Sequence, residues 1–489
     1  MNTGITIVGL GPGQVEQMTL LAWRTLEHAS EVYLRTKHHP LVESLPTKPT
    51  YHSFDDLYDQ AEDFDTLYQT IAEQIVAQGL REGGVIYAVP GHPMVGEQTT
   101  QLILETAHNQ NIPVKIVDGL SFIEPSLSAL KIDGITGLQI HDATDFIHLY
   151  HPPINPDQPA LIAQVYSQAV ASDTKLTLMN QYPDDYPVVL LHGAGTANEI
   201  IERIPLFELD RSEHISYLTT LYVPPMPHPS SFQSLLNIMA HLRSPEGCPW
   251  DIKQTHQSLR AHFIEEAYEV IEALDAEDME SLSEELGDIL LHVAFQSQIA
   301  VDEGEFYITN VVRHIIEKMV RRHPHIFGEV EVEDADHVVR NWEAIKQQEQ
   351  AQKGENGRKA RESRLDGIPA AVPALIYAYR VQEKAAQFGF DWPDVEPVIQ
   401  KVEEEIREIR EANDPESRAK EMGDLLFAVV NWARWMKVDA EAALRGTNER
   451  FKRRFAYIEA VAKENGKQIE TMTLQEMDSL WDEAKRQGL

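Results

Sequence analysis

Two stretches of this sequence pair carboxylates at helical spacing. Glu265-Glu266-Ala267-Tyr268-Glu269 is followed by Glu285-Leu286-Gly287-Asp288, and Glu404-Glu405-Ile406-Arg407-Glu408 by Glu421-Met422-Gly423-Asp424. Residues three apart on an α-helix share a face. Glu266 with Glu269, Glu285 with Asp288, Glu405 with Glu408, and Glu421 with Asp424 therefore each set two carboxylates side by side. Two antiparallel helices would gather four of them. Bare, such a cluster repels itself. A hard divalent cation relieves the repulsion, and Mg²⁺ combines oxygen ligands with substrate phosphates. A lone Glu-x-x-Glu pair is usually a solvated helix face, but two spaced pairs that recur point to metal chemistry.

The recurrence can be checked inside the sequence. The offsets are 405 − 266 = 139 and 424 − 288 = 136, and the three-residue difference falls between the acidic helices, where a loop absorbs it. Lys318 and Arg322 match Arg450 and Arg454 at an offset of 132, and Trp342 and Lys346 match Trp481 and Lys485 at 139. Acidic pairs, a basic pair and a Trp–Lys pair thus repeat in one order. Trp342 or Trp481 alone would read as packing, and Lys346 or Lys485 alone as a surface lysine.

The elements that must position these residues change character near residue 225. Before it, the β-like runs Ile5–Leu10, Val85–Val89, Val114–Val117, Leu176–Met179 and Val188–Leu191 alternate with helical segments, the pattern of an α/β domain. Val223-Pro224-Pro225-Met226-Pro227-His228-Pro229-Ser230 continues neither a helix nor a central strand and reads as a linker. Beyond it, apolar residues recur at helical spacing, as in Ile264, Ala267/Tyr268 and Ile271. A second linker is expected over Gln347–Arg364, where Lys, Glu, Gly, Arg and Gln dominate.

Bulk properties bound the rest. At 489 residues the chain has room for about three domains. A formal net charge of −36 argues against nucleic-acid polymers and anionic membranes, both of which need a basic footprint. Cys248 is the single cysteine, so there is no intrachain disulfide and no cysteine metal cluster. The start, Met1-Asn2-Thr3-Gly4, has no basic stretch followed by a long apolar one, and no segment reaches the length of a membrane span, so a cytoplasmic protein is expected.

With these residues in place, the helical half resembles the MazG family of all-α nucleoside triphosphate pyrophosphohydrolases. The acidic motifs carry the resemblance, together with Gly247-Cys248-Pro249-Trp250-Asp251, Arg321-Arg322-His323-Pro324-His325, Phe388-Gly389-Phe390-Asp391-Trp392 and Arg453-Arg454-Phe455. It implies that Glu405, Glu408, Glu421 and Asp424 hold Mg²⁺, that Arg450 and Arg454 contact phosphates, and that Trp481 and Lys485 complete a nucleotide site with Lys384 near it. The matching first-copy residues are Glu266, Glu269, Glu285, Asp288, Lys318, Arg322, Trp342 and Lys346. The implied reaction converts nucleoside triphosphates and water to NMP and pyrophosphate, with Glu404 placed to orient or deprotonate the water. The family's usual assembly implies a homodimer, and its main site implies turnover in the second copy.

The first half resembles the S-adenosylmethionine-dependent tetrapyrrole methylases. Gly9-Leu10-Gly11-Pro12-Gly13 matches their first loop, and Tyr87–Glu97, with Pro90, Gly91, His92, Pro93, Met94 and Val95 as the cofactor-binding stretch, matches their second. Read from residues alone, Gly9–Gly13 is a tight turn after a strand, since Gln14 stands where a dinucleotide fingerprint needs Gly. Gln14 and Asp118-Gly119-Leu120-Ser121-Phe122 depart from the pattern of many active methylases, which predicts weak or altered methyl transfer. The expected fold is multidomain: an N-terminal α/β tetrapyrrole-methylase-like domain (1–222), a linker (223–230), and two all-α MazG-type helical domains (231–346 and 365–489) joined by a second linker (347–364). Two other readings stay open here: a methyltransferase whose helical half regulates or oligomerises it, and a non-enzymatic scaffold of paired helices.

Overall fold

The structure is a computed structural model and describes residues 3–58, 63–355 and 363–489. The chain divides into two compact units, Met1–Val312 and Arg313–Leu489.

The first unit holds two five-stranded sheets. Strands β1 (Ile5–Gly9), β2 (Glu31–Leu34), β3 (Thr50–Ser53), β4 (Val85–Val89) and β5 (Val114–Val117) form a parallel sheet in the order β3-β2-β4-β1-β5. Ile5 pairs with Val85 on one side and Val114 on the other. A parallel sheet needs both faces covered, and the apolar runs supply both. Ile7, Tyr87 and Val89 pack with Leu67, Ile71 and Ile75 of helix Phe64–Gly79, while Val8, Ala88 and Val117 pack with Ala22 and Leu26 of helix Leu20–Glu27. Burying each large apolar side chain contributes roughly 1.5–3 kcal/mol.

The second sheet is mixed. Strands β6 (Gln139–Asp142), β7 (Ala160–Ala163), β8 (Pro187–His192), β9 (Ile200–Pro205) and β10 (Thr219–Val223) lie in the order β6-β7-β10-β8-β9, with only β6 and β7 parallel. One sequence expectation fails here. Leu176–Met179 is not a strand: it is the end of helix Gln168–Leu178, capped at Ser167. Val170, Ala171, Thr174, Thr177 and Leu178 are its buried positions, a spacing of three and four that outweighs the short alternation of Leu-Thr-Leu-Met.

The Pro-rich stretch after β10 is strapped to this lobe rather than hanging free. Tyr186 donates its hydroxyl to the Pro225 carbonyl at 2.9 Å, and the Met226 N–H reaches the Pro156 carbonyl at 2.7 Å. Asp157 accepts from the Ser230 N–H at 2.6 Å and the Ser231 hydroxyl at 2.5 Å, and also from the Ser234 hydroxyl. Burial pushes the Asp157 carboxyl up, but these donors outweigh it and hold the group at about 2.

The rest is helical: α1 (Phe232–Leu242), α2 (Arg260–Asp275), α3 (Met279–Glu303), α4 (Ile308–Arg322), α5 (Ala335–Glu355), α6 (Ala374–Ala386), α7 (Glu396–Glu411), α8 (Pro415–Trp435), α9 (Ala440–Glu464) and α10 (Leu474–Arg486). The repeat extends to the caps. Asp278 accepts from the Ser281 N–H to start α3, and Asp414 from the Ser417 N–H to start α8, both at the 136 offset. Helix α5 runs to Glu355, eight residues beyond the expected start of the second linker at 347. Residues 356–362 of that linker lie outside the described residues.

Candidate active site

The acidic residues sit on two packed helix pairs, α2 with α3 and α7 with α8. In α7–α8, ligand oxygens of Glu405, Glu408 and Glu421 lie within 4.8 Å of one another, and in α2–α3 those of Glu266, Glu269 and Glu285 do the same. The aspartates stand off from these triads. Asp424 faces Lys420, 3.5 Å away, and Asp288 adds its negative field to Glu266.

Charge has left its mark on both clusters. Desolvation, then a hydrogen bond with Glu269 and the charge of Asp288, raise the Glu266 carboxyl above its ordinary value. Desolvation and Glu269 raise Glu285. In the second copy a hydrogen bond with Glu421 raises Glu408, while Lys420 holds Glu421 below its ordinary value. Two lysines that sequence reading passed over explain the difference. Lys401 reaches Glu405 at 2.8 Å and Glu404 at 3.0 Å, and Lys420 reaches Glu421 at 3.0 Å. Lys401 was legible as a basic residue one turn before Glu405.

The second-copy cluster also contains unmet acceptors. Glu405 is 3% exposed, and its Oε2 and the Oε2 of Glu421 are buried without a hydrogen-bond partner. Buried carboxylate oxygens left this way are costly. A divalent cation with oxygen ligands would satisfy both, so the donor set fits Mg²⁺.

The basic and aromatic residues gather on α9 and α10. The Arg454 guanidinium lies 5.4 Å over the Trp481 ring, and the Phe451 ring lies 5.0 Å from Trp481. Arg454 donates to an oxygen of the final residue, Leu489, at 2.7 Å, and Arg450 to the Thr447 hydroxyl at 2.8 Å. Lys485 pairs with Asp482 at 3.2 Å. Lys384 is turned to the Asp366 carbonyl at 2.7 Å. In the first copy, Arg322 and Lys346 lie 5.4 and 5.8 Å from the Trp342 ring. Lys318 is half-buried on α4. Arg322 is also held by a residue missed in the sequence: Glu349, 8% exposed, takes it at 2.6 Å and Arg321 at 2.7 Å. Hydrogen bonding to Arg322 brings the Glu349 carboxyl down to about 2.

In the N-terminal domain the loops after β1, β4 and β5 converge at the carboxyl edge of the parallel sheet, where ligands of such folds bind. The approach is close enough to need glycine: a Cβ on Gly119 would lie 2.4 Å from the Gly91 carbonyl oxygen, and one on Gly9 2.6 Å from it. Gly91 and Gly11 exchange backbone hydrogen bonds at 2.9 and 3.1 Å. Within the expected cofactor stretch, the Met94 N–H goes to His92 Nδ1 at 3.0 Å and the Val95 N–H to the His92 carbonyl at 3.0 Å. Pro90 and Pro93 have no N–H. The loop therefore presents carbonyls and the His92 ring, which lies 3.5 Å from Asp118, more than free donors. An open groove lined by Gln17, Leu120, Glu124, Ser128, Gly195 and Glu199 adjoins it.

Comparison with known proteins matches three stretches of the chain. Residues 254–327 and 395–470 each match the MazG nucleotide pyrophosphohydrolase domain, and residues 4–210 match the tetrapyrrole (corrin/porphyrin) methylases. The chain is 45% identical over 254 residues to the nucleoside triphosphate pyrophosphohydrolase/pyrophosphatase MazG of Thermotoga maritima, covering 52% of this chain and 95% of that one. It belongs to the MazG family. A nucleoside triphosphate pyrophosphohydrolase of Escherichia coli K12 is 43% identical over 261 residues, 52% of this chain and 97% of its own. Both MazG domains and the methylase domain together are matched by the uncharacterised protein YabN of Bacillus subtilis, 45% identical over 494 residues and 98% of each chain. The methylase domain is also similar to uroporphyrin-III C-methyltransferase from Thermus thermophilus, at 23% identity and a TM-score of 0.37, over 45% of this chain and 94% of that one.

Proposed function

We propose that the MazG domains hydrolyse nucleoside triphosphates to NMP and pyrophosphate with Mg²⁺, and that the second domain carries turnover. The observation that supports this most is the pair of buried, unpartnered carboxylate oxygens of Glu405 and Glu421 beside Glu408. Glu405, Glu408, Glu421 and Asp424 would hold the ion. It would neutralise the triphosphate and lower the pKa of a bound water.

The chain's own residues supply the rest. Trp481, flanked by Phe451, offers the base an aromatic face. Arg450, Arg454 and Lys485 stabilise the negative charge that grows on the phosphate oxygens, and Lys384 adds to that field. Glu404, outside the triad, takes a proton from the water. The water oxygen then bonds to the α-phosphorus while the bond to the pyrophosphate oxygen breaks, and pyrophosphate leaves. By sequence offset, the corresponding residues of the first domain are the acids Glu266, Glu269, Glu285 and Asp288 and the residues Lys318, Arg322, Trp342 and Lys346.

The N-terminal domain binds S-adenosylmethionine at the carboxyl edge of its parallel sheet, against Pro90–Val95, with weak or altered methyl transfer. Calorimetry that finds no binding of S-adenosylmethionine or its demethylated product overturns that part. The functional form is a homodimer in the cytoplasm. Leu286 and Leu290 on α3 are 48% and 49% exposed, and their counterparts Met422 and Leu426 on α8 are 46% and 53% exposed, so both acidic helix pairs show apolar surface that a further helix would cover. No helix among the described residues is long and apolar enough to cross a membrane.

The test is to incubate the full chain with a panel of nucleoside triphosphates and Mg²⁺ and separate the products. NMP and pyrophosphate in equal amounts are expected. NDP and orthophosphate as main products would sink the proposal.

A further inference from the structure

A third group of ligand-type side chains lies outside both acidic motifs. His256 sits in the loop between the short helix Pro249–Ile252 and α2, and its ring faces Glu303 and Glu305 at the end of α3. Ligand atoms of the three lie within 4.8 Å of one another. Glu303 is eighteen residues along α3 from Glu285, about 27 Å at 1.5 Å per residue, so this group is separate from the first domain's triad.

Three observations make the group more than a surface ion pair. The Nδ1 side of the His256 ring meets the Gln296 side-chain oxygen. That oxygen accepts only, so Nδ1 is the donor in this contact and Nε2 is the ring atom turned to the carboxylates. Nε2 is fully buried and has no hydrogen-bond partner. It lies 4.0 Å from a Glu303 oxygen and 3.8 Å from a Glu305 oxygen, beyond hydrogen-bond reach. Nε2 and the two carboxylates therefore converge without a hydrogen bond between them, across a gap that a bridging cation would close.

The backbone prepares this place. Gly304 adopts φ of 73° to end α3, a conformation glycine takes without strain, and the Glu305 N–H folds back onto the Ala300 carbonyl at 2.8 Å. The turn brings the carboxylates on either side of Gly304 to the same imidazole. The carboxyl end of α3 adds the negative end of its dipole. Asp302 is not part of the set, because Arg243 takes it at 2.7 Å while donating to the Asp251 carbonyl at 2.6 Å, which anchors the loop that carries His256.

We propose that His256, Glu303 and Glu305 bind a Zn²⁺ ion that pins the 253–259 loop to the end of α3. One imidazole with two carboxylates suits zinc better than Mg²⁺, which takes oxygen ligands. Gln296 is a positioning residue that fixes the ring and its tautomer. The second domain lacks the site: the counterpart of His256 at the 139 offset is Val395. It thus serves as an internal control.

The test uses the full chain, stripped with EDTA, then given micromolar Zn²⁺ in a large excess of Mg²⁺ that occupies the oxygen-only clusters. Bound zinc per chain is measured after gel filtration, and affinity by calorimetry. One zinc per chain is expected in the wild type and in Glu269→Gln and Glu408→Gln. His256→Gln and Glu305→Gln should lose it, and Gln296→Leu should weaken it by about 10–100-fold. Glu305 is solvent-exposed, so its variant reads the site even if His256→Gln misfolds. No zinc in the wild type under these conditions, or undiminished zinc in folded His256→Gln or Glu305→Gln, overturns the proposal.

Discussion

In the first MazG domain, the position one turn before Glu266 is His262 and the residue before Glu285 is Glu284; in the second, the same positions are Lys401 and Lys420 (401 − 262 = 139, 420 − 284 = 136). The two clusters share their carboxylates and differ in what surrounds them. The first is left to repel itself, and Glu266 and Glu285 are both raised. The second is partly offset by two ammonium groups: Glu421 is lowered, while Glu408 is still raised. On the basic side, Arg322 is engaged by the Glu349 side chain, and Arg454 by an oxygen of the final residue, Leu489. The counterpart of Glu349 at the 139 offset is Gly488, so no acidic side chain stands at that place in the second domain. Glu349 competes with a phosphate for Arg322. On these differences the second domain is expected to carry turnover and the first to support it.

The strongest way to break this comparison is to remove the metal. Chelation should stop turnover, a loss of about 10³-fold or more, because the ion both activates the water and neutralises the triphosphate. Substantial activity in excess EDTA would mean the acids are only structural. Next in size is Arg454→Ala, with a loss of about 10²-fold in kcat/KM if it meets the developing phosphate charge, against less than about threefold for Arg322→Ala. Similar losses from the two would erase the distinction drawn from Glu349.

Acid titration sharpens the contrast. Glu266 and Glu285 are raised above the ordinary value of 4.5, so the stability they contribute to metal-free protein is full below that value and lost as pH rises through their folded values. Mg²⁺ offsets that loss, so the Mg²⁺-induced rise in Tm should grow with pH across that range. Glu349 works the other way. Its contribution is present above the ordinary value of 4.5 and is lost as pH falls toward about 2. Glu349→Gln should therefore lower Tm by a few degrees near neutrality, from about 1–2 kcal/mol of lost charge-assisted hydrogen bonding, and have little effect at strongly acidic pH. The smallest expected effect is that of Lys420→Ala, which removes a positive charge beside the ion site and should tighten Mg²⁺ binding by a few-fold. Weaker binding would show that the lysine organises the acids rather than competing with the ion.

Local spacing made the acids legible: Glu405 and Glu408, three apart on α7, meet Glu421 on α8 through a short capped turn, and all of that is written in sequence order. The repeat supplied the register. What escaped was set by distance or by competing patterns. Glu349 has no counterpart to reveal it. His256 and Glu303 are brought together only where α3 ends. Leu176–Met179 alternates like a strand, but Ser167 and the buried face of its helix decide otherwise. The stretch expected as a linker over 223–230 begins inside β10, which ends at Val223, and nothing local announced that Asp157, far upstream, would hold Ser230, Ser231 and Ser234.

The most direct test of where turnover resides is kcat for Glu408→Gln beside Glu269→Gln, both shown to be folded and saturated with Mg²⁺ and nucleoside triphosphate. Removing one carboxylate from the working cluster takes away about 3 kcal/mol of transition-state stabilisation, so Glu408→Gln should lose about 10²-fold or more. Glu269→Gln should keep most of the wild-type rate. Equal losses, or a loss confined to Glu269→Gln, would contradict the assignment of turnover to the second domain.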